Sequence, residues 1–212
     1  MTAASDLDPR KTALLLFDML NGHVKKDEAS RERYRPVIAA AVEVLAAARS
    51  HDLMIAYACA NHRADNATTA QTLRDADNRL RPLPSEDPDA DRPAIVAGTW
   101  AAQVIDELAP RESDYLIPKF RWSAFYQTWL DLALRTRGVD TIAIAGGSTD
   151  VGVASTVYAA RDMDYNVVIV SDACTSPERD NHDQMMRRIF PRMARVRTAR
   201  QVIEMMARGA AR

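Results

Sequence analysis

Strand-length runs of apolar residues without polar alternation recur along this chain: "TALLLFDM" at 12–19, "LMIAYACA" at 53–60 and "NVVIVSDA" at 166–173. A strand with one wet face alternates polar and apolar side chains. An unbroken run therefore marks a strand covered on both faces, as a parallel sheet requires. Shorter runs of the same kind are "DYLIP" (114–118), "DTIAIAG" (140–146) and "ARVRTA" (194–199). Between them the apolar period becomes helical: "RPVIAAAVEVLAAARSHD" (35–52) with Pro36 near its start, and "GTWAAQVIDELAP" (98–110) closed by Pro110. Further helical stretches cover 124–137 before Gly138, then 151–164, 178–190 and 200–209. Alternating strands and helices predict a single α/β domain over 1–212, doubly wound and three-layered. Its parallel sheet has about six strands, with helices on both faces. Residues 1–10 read as a short N-terminal tail. The polar, Asp-, Arg- and Pro-rich stretch 61–97 reads as a lid or insert.

The composition narrows the function classes. Among 212 residues, 47% are hydrophobic and 27% charged, with a formal net charge of −1. That balance provides no field to gather nucleic acid or an anionic membrane. Two cysteines, Cys59 and Cys174, make no disulfide framework and no zinc-ribbon spacing. The start "MTAASDLDPRK" lacks a signal-peptide pattern, and no apolar run approaches the ~20 residues of a membrane span. The expectation is a cytoplasmic protein that binds a small molecule, with no nucleic-acid or membrane partner.

In a doubly wound sheet ligands bind beyond the carboxyl ends of the strands. There the sequence gathers Asp18, His62, Arg63, Lys119, the glycine-containing stretch Gly146–Gly152, and Asp172. Asp18 follows a run of apolar residues and needs a cation or donors to remain charged; Lys119 is the natural partner. The pair fits proton transfer, and equally a structural ion pair or helix cap. "GGSTDVG" (146–152) permits close backbone approach and an anion hole, or an ordinary turn; it is neither a dinucleotide fingerprint nor a phosphate loop. Trp122, Phe125 and Tyr126 lie at spacings that suit a pocket lining or the core. His62, Arg63 and Arg121 can clamp a substrate carboxylate, or sit solvated on a loop. His62 and Asp65 alone make an incomplete ligand set, so no metal is expected. Cys59 lies near the same mouth as a conceivable nucleophile, but buried cysteine usually acts as a small hydrophobe. The arginine-rich stretch from Arg187 to Arg200 reads as a solvated face.

"TALLLFDMLNG", "GTWAAQVIDELAP" and the long block from "DYLIPKFRWSAFYQTW" through "AIAGGSTDVGVASTVYAARDMDYNVVIVSDAC" resemble the isochorismatase-like hydrolase superfamily. That group contains isochorismatases, nicotinamidases and related cysteine amidohydrolases. The resemblance covers almost the whole chain. It implies that Asp18 and Lys119 are catalytic and that Gly147–Ser148 is a cis peptide shaping an oxyanion hole. It also implies a cofactor-independent hydrolase that assembles as a homo-oligomer, dimer or tetramer; Trp100, Trp122, Trp129 and the Met-rich "QMMRR" and "EMMAR" suit an interface.

The chain departs from the family at four places. Leu20 and Gly22 replace a Gln and an Asp of the opening motif. Of a metal-binding Asp and two His, only His62 and Asp65 remain. Gly152 stands where amidase members carry their nucleophilic cysteine. Isochorismatases and phenazine-pathway relatives share that glycine and hydrolyse a vinyl ether with the Asp as general acid and water as nucleophile. That chemistry is the expectation for Gly152, with extra room for a bulkier substrate where the sulfur is missing. The alternatives are a C–N hydrolase using another nucleophile, or a silent ligand-binding member.

Overall fold

The computed structural model describes residues 6–69 and 94–211. Six strands form one parallel sheet: β1 Thr12–Phe17, β2 Met54–Ala60, β3 Tyr115–Lys119, β4 Thr141–Gly147, β5 Asn166–Thr175 and β6 Arg195–Arg197. Their spatial order is β3-β2-β1-β4-β5-β6, and every pairing is parallel. The chain winds outward in one direction from β1 and then returns to wind the other way from β4. The crevice between β1 and β4 is thus the topological switch point, where such sheets bind ligands.

The unbroken apolar runs are explained by the two-sided cover. Leu14, Leu16, Ile55, Tyr57, Ala143, Ala145, Val168 and Val170 face one core cluster. It is closed by the helices α2 (Glu28–Ser50) and α6 (Ala199–Ala210). Ala13, Leu15, Phe17, Met54, Ala56, Ile142, Ile144 and Ile169 face the other, with α3 (Leu130–Thr136) and α4 (Ala154–Asp162). Strand side chains alternate between faces, so both sets must be apolar. The short helices α1 (Asn21–Val24) and α5 (Arg179–Gln184) complete the set.

Three helical expectations change. Residues 98–110 form only the 3-10 turns Trp100–Ala102 and Asp106–Leu108. Their backbone groups are used elsewhere: Asn21 N–H donates to Gln103 O at 2.9 Å and Ile105 N–H to Met19 O at 3.0 Å. Ile105 and Leu108 are buried as the period suggested, but on an irregular strap beyond β1. The helix expected over 124–137 is confined to α3, because Gln127 takes a positive φ of 53° and Ala124 N–H donates to Thr156 Oγ1 instead. Conversely, α2 begins well before Pro36, capped by Asp27, whose carboxylate accepts from Ser30 N–H at 2.7 Å.

The methionines also differ from the interface expectation: Met205 and Met206 are buried in the core, whereas Trp100, Trp122 and Trp129 are exposed. Of the expected lid, 70–93 lie outside the described residues. Its two ends meet, with His62 N–H donating to Ile95 O and Ala97 N–H to His62 O. No helix among the described residues is long and apolar enough to cross a membrane.

Candidate active site

At the end of β1 the backbone turns sharply: Asp18 has a φ of 50°, and its N–H donates to Ala58 O at 2.9 Å. Its carboxylate is held on both oxygens. Oδ2 lies 2.7 Å from Lys119 Nζ, at the end of β3, and Oδ1 accepts from Ala60 N–H, at the end of β2, at 2.8 Å. The two residues are only 8% and 5% exposed, so this ion pair is formed where water can no longer screen it. Lys119 Nζ also sits 4.6 Å from the centroid of the Phe17 ring, a cation–π contact that further fixes the ammonium.

Between β1 and β4 the third side of the site is backbone. The Gly147–Ser148 peptide bond is cis. Gly147 passes against Tyr34, leaving no room for a side chain beside the tyrosine hydroxyl. Ser148 Oγ donates to Asp150 Oδ1. Asp150 also accepts from Ser176 Oγ and from Asn181 Nδ2, each at 2.7 Å. Burial works against its charge, but hydrogen bonds from Ser148, Ser176 and Asn181 hold the carboxyl below its usual range. These bonds pin the turn that leads through a π-helical turn, Thr149–Val153, into α4.

Gly152 lies on that turn. A Cβ built there would fall into the Phe17 ring, 2.7 Å from Cζ and closer still to Cε1. The expected extra room at this position is therefore absent: Phe17, itself 1% exposed, already fills it. Any side chain at 152 must displace the residue that touches Lys119.

These groups line a cavity of about 230 Å³ formed by Phe17, Asp18, His23, Lys26, Arg33, Tyr34, Lys119, Trp122, Gly147, Ser148, Val151, Gly152 and Pro177. Burial pushes His23 below its ordinary value, with Asp18 pulling the other way and Lys119 adding to the depression, so its imidazole is neutral at pH 7. Burial raises the Tyr34 hydroxyl to about 12, which keeps it a proton donor.

Of the residues singled out in the sequence, Asp18, Lys119, Gly147, Ser148, Gly152 and Trp122 meet in this cavity. His62, Arg63, Arg121 and Phe125 are not among its lining. His62 Nδ1 lies 3.2 Å from Thr68 O. Arg63 is exposed and paired with Asp65 at 2.5 Å. Arg121 donates to Thr68 O and Phe120 O. Phe125 stacks on Tyr165 at 5.6 Å and packs against the core. Asp172 likewise turns to structure, capping α6 through Ala199 N–H at 2.7 Å. Cys59 and Cys174 are free, buried and outside the lining, and burial pushes each thiol up to about 12. Among the described residues, no group of three His, Cys, Asp or Glu side chains stands close enough to hold a metal ion.

His23, Lys26, Arg33 and Tyr34 were not legible as site residues. They come from α1, α2 and the link between them, whereas the apolar runs point only to strand ends. The available signal was the Asp27 cap flanked by cations in "KKDEASRERYR" (25–35).

Comparison with known proteins agrees with this architecture. The family model described as the isochorismatase domain matches residues 12–201. The isochorismatase family protein YwoC of Bacillus subtilis is 30% identical over 200 residues, covering 94% of this chain and 96% of its own. The structure of an isochorismatase family protein from Burkholderia thailandensis superposes with a TM-score of 0.79 at 28% identity, covering 95% of this chain and 98% of that one. N-carbamoylsarcosine amidase from Thermoplasma acidophilum gives a TM-score of 0.69 at 26% identity, covering 89% of this chain and 96% of that one.

Proposed function

Because the chain belongs to the isochorismatase family, whose members are hydrolases, we propose that it hydrolyses an enol (vinyl) ether of a small anionic molecule, without a nucleophilic side chain. The observation that carries this reading is the filling of the Gly152 site by Phe17 directly beside the Asp18–Lys119 pair. A thioester route needs a thiol at the helix head. Here that position has no side chain and no space for one, while the proton-transfer pair is intact.

In the proposed reaction the Asp18 carboxylate, ion-paired with Lys119 in the empty site, first takes up a proton from solvent and then, as the carboxylic acid, gives it to the terminal alkene carbon. The ether-bearing carbon becomes an oxocarbenium ion. Lys119 Nζ and Ala60 N–H, already placed on the two oxygens, stabilise the carboxylate left behind. Water adds to the cationic carbon and returns a proton to Asp18. The resulting hemiketal then collapses to a carbonyl compound and an alcohol. Atoms balance with water as the sole co-substrate, and no cofactor is invoked. Tyr34, a donor at neutral pH beside Gly147, is suited to orient the substrate.

The test is turnover of a panel of enol ethers, isochorismate included, beside small amides, each with and without iodoacetamide. Enol ether cleavage that survives alkylation and disappears in Asp18→Asn is the expected result. The similarity to an amidase supports one competing reading, C–N hydrolysis through another nucleophile. It predicts ammonia release that alkylation abolishes and a covalent acyl adduct in the intact mass, and either finding would falsify the water mechanism. Because burial pushes the Cys59 and Cys174 thiols up to about 12 and makes them slow to label, Cys59→Ala and Cys174→Ala are run beside the alkylated protein, and enol ether cleavage should survive both substitutions. Tight ligand binding without turnover of either class would replace both readings with a binding role.

A further inference from the structure

The cavity has a second charged group that the reaction above does not use. Lys26 and Arg33 line it from the side of α2, facing a site whose one lining carboxylate, Asp18, is already neutralised by Lys119. Lys26 is partly committed, with its Nζ 3.7 Å from Asp27 Oδ2. Arg33 makes no salt bridge among the described residues, although the Asp27 carboxylate is near enough to feel its charge; its Nη2 gives a 3.3 Å hydrogen bond to Ser30 Oγ, and its Cζ lies 5.5 Å from the centroid of the Tyr34 ring. Its Nε is buried with no hydrogen-bond partner.

A buried donor without an acceptor costs free energy of the order of a lost hydrogen bond, and native proteins seldom leave one without reason. The cost is greater for a guanidinium, whose donors carry charge. Arg33 as a residue is half-buried and lines a cavity large enough for a small ligand, so the outer part of its guanidinium can meet an acceptor there. A planar fork of donors fits a carboxylate better than any neutral group, and a lining whose cations are only partly offset by Asp18 and the nearby Asp27 favours an anion. The aromatic side chains of Tyr34 and Trp122 in the same lining suit a flat, unsaturated ligand body.

We propose that Arg33, assisted by Lys26, is the specificity-determining residue that binds the substrate's carboxylate, so that the substrates of this site are small, flat carboxylates. This rests on reading the cavity as the substrate site, but not on which bond is broken there. Arg33 touches neither Asp18 nor Lys119 by any hydrogen bond or ion pair among the described residues, so its contribution is to affinity and selection.

The test reads binding, so it stands apart from turnover. Benzoate, and its neutral counterpart benzyl alcohol, are titrated into wild type, Arg33→Met and Arg33→Lys by calorimetry or ligand-observed NMR. Benzoate should bind wild type more tightly than benzyl alcohol and lose about tenfold or more in affinity in Arg33→Met, as truncation of a charged hydrogen-bonding group does. Arg33→Lys, which keeps the charge without the fork, should fall between. Benzyl alcohol should bind all three alike. On any carboxylate that is turned over, Arg33→Met should raise KM and leave kcat nearly unchanged. Failure of benzoate to bind wild type, equal binding of benzoate and benzyl alcohol, or equal affinity in wild type and Arg33→Met overturns the proposal. If Arg33→Met does not fold, Arg33→Lys decides alone, and an affinity equal to wild type counts against the fork. An Arg33-dependent benzoate site with no enol ether turnover leaves the subsite standing and removes the reaction. Enol ether turnover indifferent to Arg33→Met does the reverse.

Discussion

The strand-end wall of the cavity and the α2 wall differ in how their charges are satisfied. On the first, Asp18 and Lys119 are buried, and each oxygen of the acid already has its donor before any substrate arrives. On the second, Arg33 holds a buried donor, Nε, with no acceptor among the described residues. A group satisfied in the empty site can stabilise charge that appears during a reaction without reorganising, which is where a rate advantage comes from. A group left unsatisfied gains its partner when ligand binds, and that gain appears as affinity. The same cavity thus divides chemistry from selection between a sheet edge and a helix. Substitutions on the two walls should separate in kcat and KM.

The largest expected effect falls on the strand-end wall. Asp18→Asn keeps the size of the side chain and an acceptor for Ala60 N–H but removes the transferable proton, so kcat should drop by about 10²-fold or more. It also leaves Lys119 buried without its counter-charge, a change that can cost several kcal/mol of stability. Activity must therefore be read well below the variant's own melting temperature. An Asp18→Asn protein that is folded and fully active would end the assignment of chemistry to this wall. Next in size is Gly152→Cys. The added side chain has to push Phe17 aside, and overpacking of this kind costs about 1–3 kcal/mol, measurable as a lower denaturant midpoint. Combining it with Phe17→Leu should recover part of that loss, since contacting residues couple by roughly 0.5–3 kcal/mol. Strict additivity in that cycle would show that Phe17 is not what excludes a cysteine here.

The two walls also differ in how far the amino-acid sequence alone reveals them. β1, β2 and β5 were legible because burial on both faces leaves no alternative to an unbroken apolar run. Asp18, Lys119 and Gly152 were legible because a doubly wound sheet brings strand ends together, and a polar residue closing an apolar run stands out. Arg33 and Lys26 were hidden in an ordinary charged helix start, where cations usually face solvent. Only the three-dimensional path of α2, beginning at Asp27 and not near Pro36, brings them to the cavity. The filling of the Gly152 site was equally invisible, since Phe17 lies far from it in sequence and looks like one more strand residue. The helix expected at 98–110 fails for the same reason: its apolar spacing was correct, but Met19 and Asn21 compete for its backbone hydrogen bonds. Period reports which side chains are buried; it does not report where the amides find partners.

Two smaller effects sharpen the contrast by lying outside both walls. Thr198 and Gln201 form reciprocal caps at the start of α6, so Thr198→Ala should cost about 1 kcal/mol of stability while kcat and KM stay at wild-type values. A change in KM there would mean that stability and affinity are not separable in this molecule.

The smallest effect is expected at Arg63, and it is informative because Arg63 and Arg33 carry the same charge. Arg63 is exposed, donates to Asp65 from Nε at 2.9 Å and from Nη2 at 2.5 Å, and is not part of the cavity lining. An exposed ion pair contributes little, and its field at a distant ligand is screened beyond about 8 Å at physiological salt. Arg63→Ala should therefore leave benzoate affinity within about twofold of wild type, against the much larger loss in Arg33→Met. If the two variants lose affinity equally and the loss vanishes at high salt, the cavity attracts anions by the summed field of its surroundings. If only Arg33→Met loses it and the loss survives added salt, attraction depends on direct contact with the guanidinium in the cavity lining.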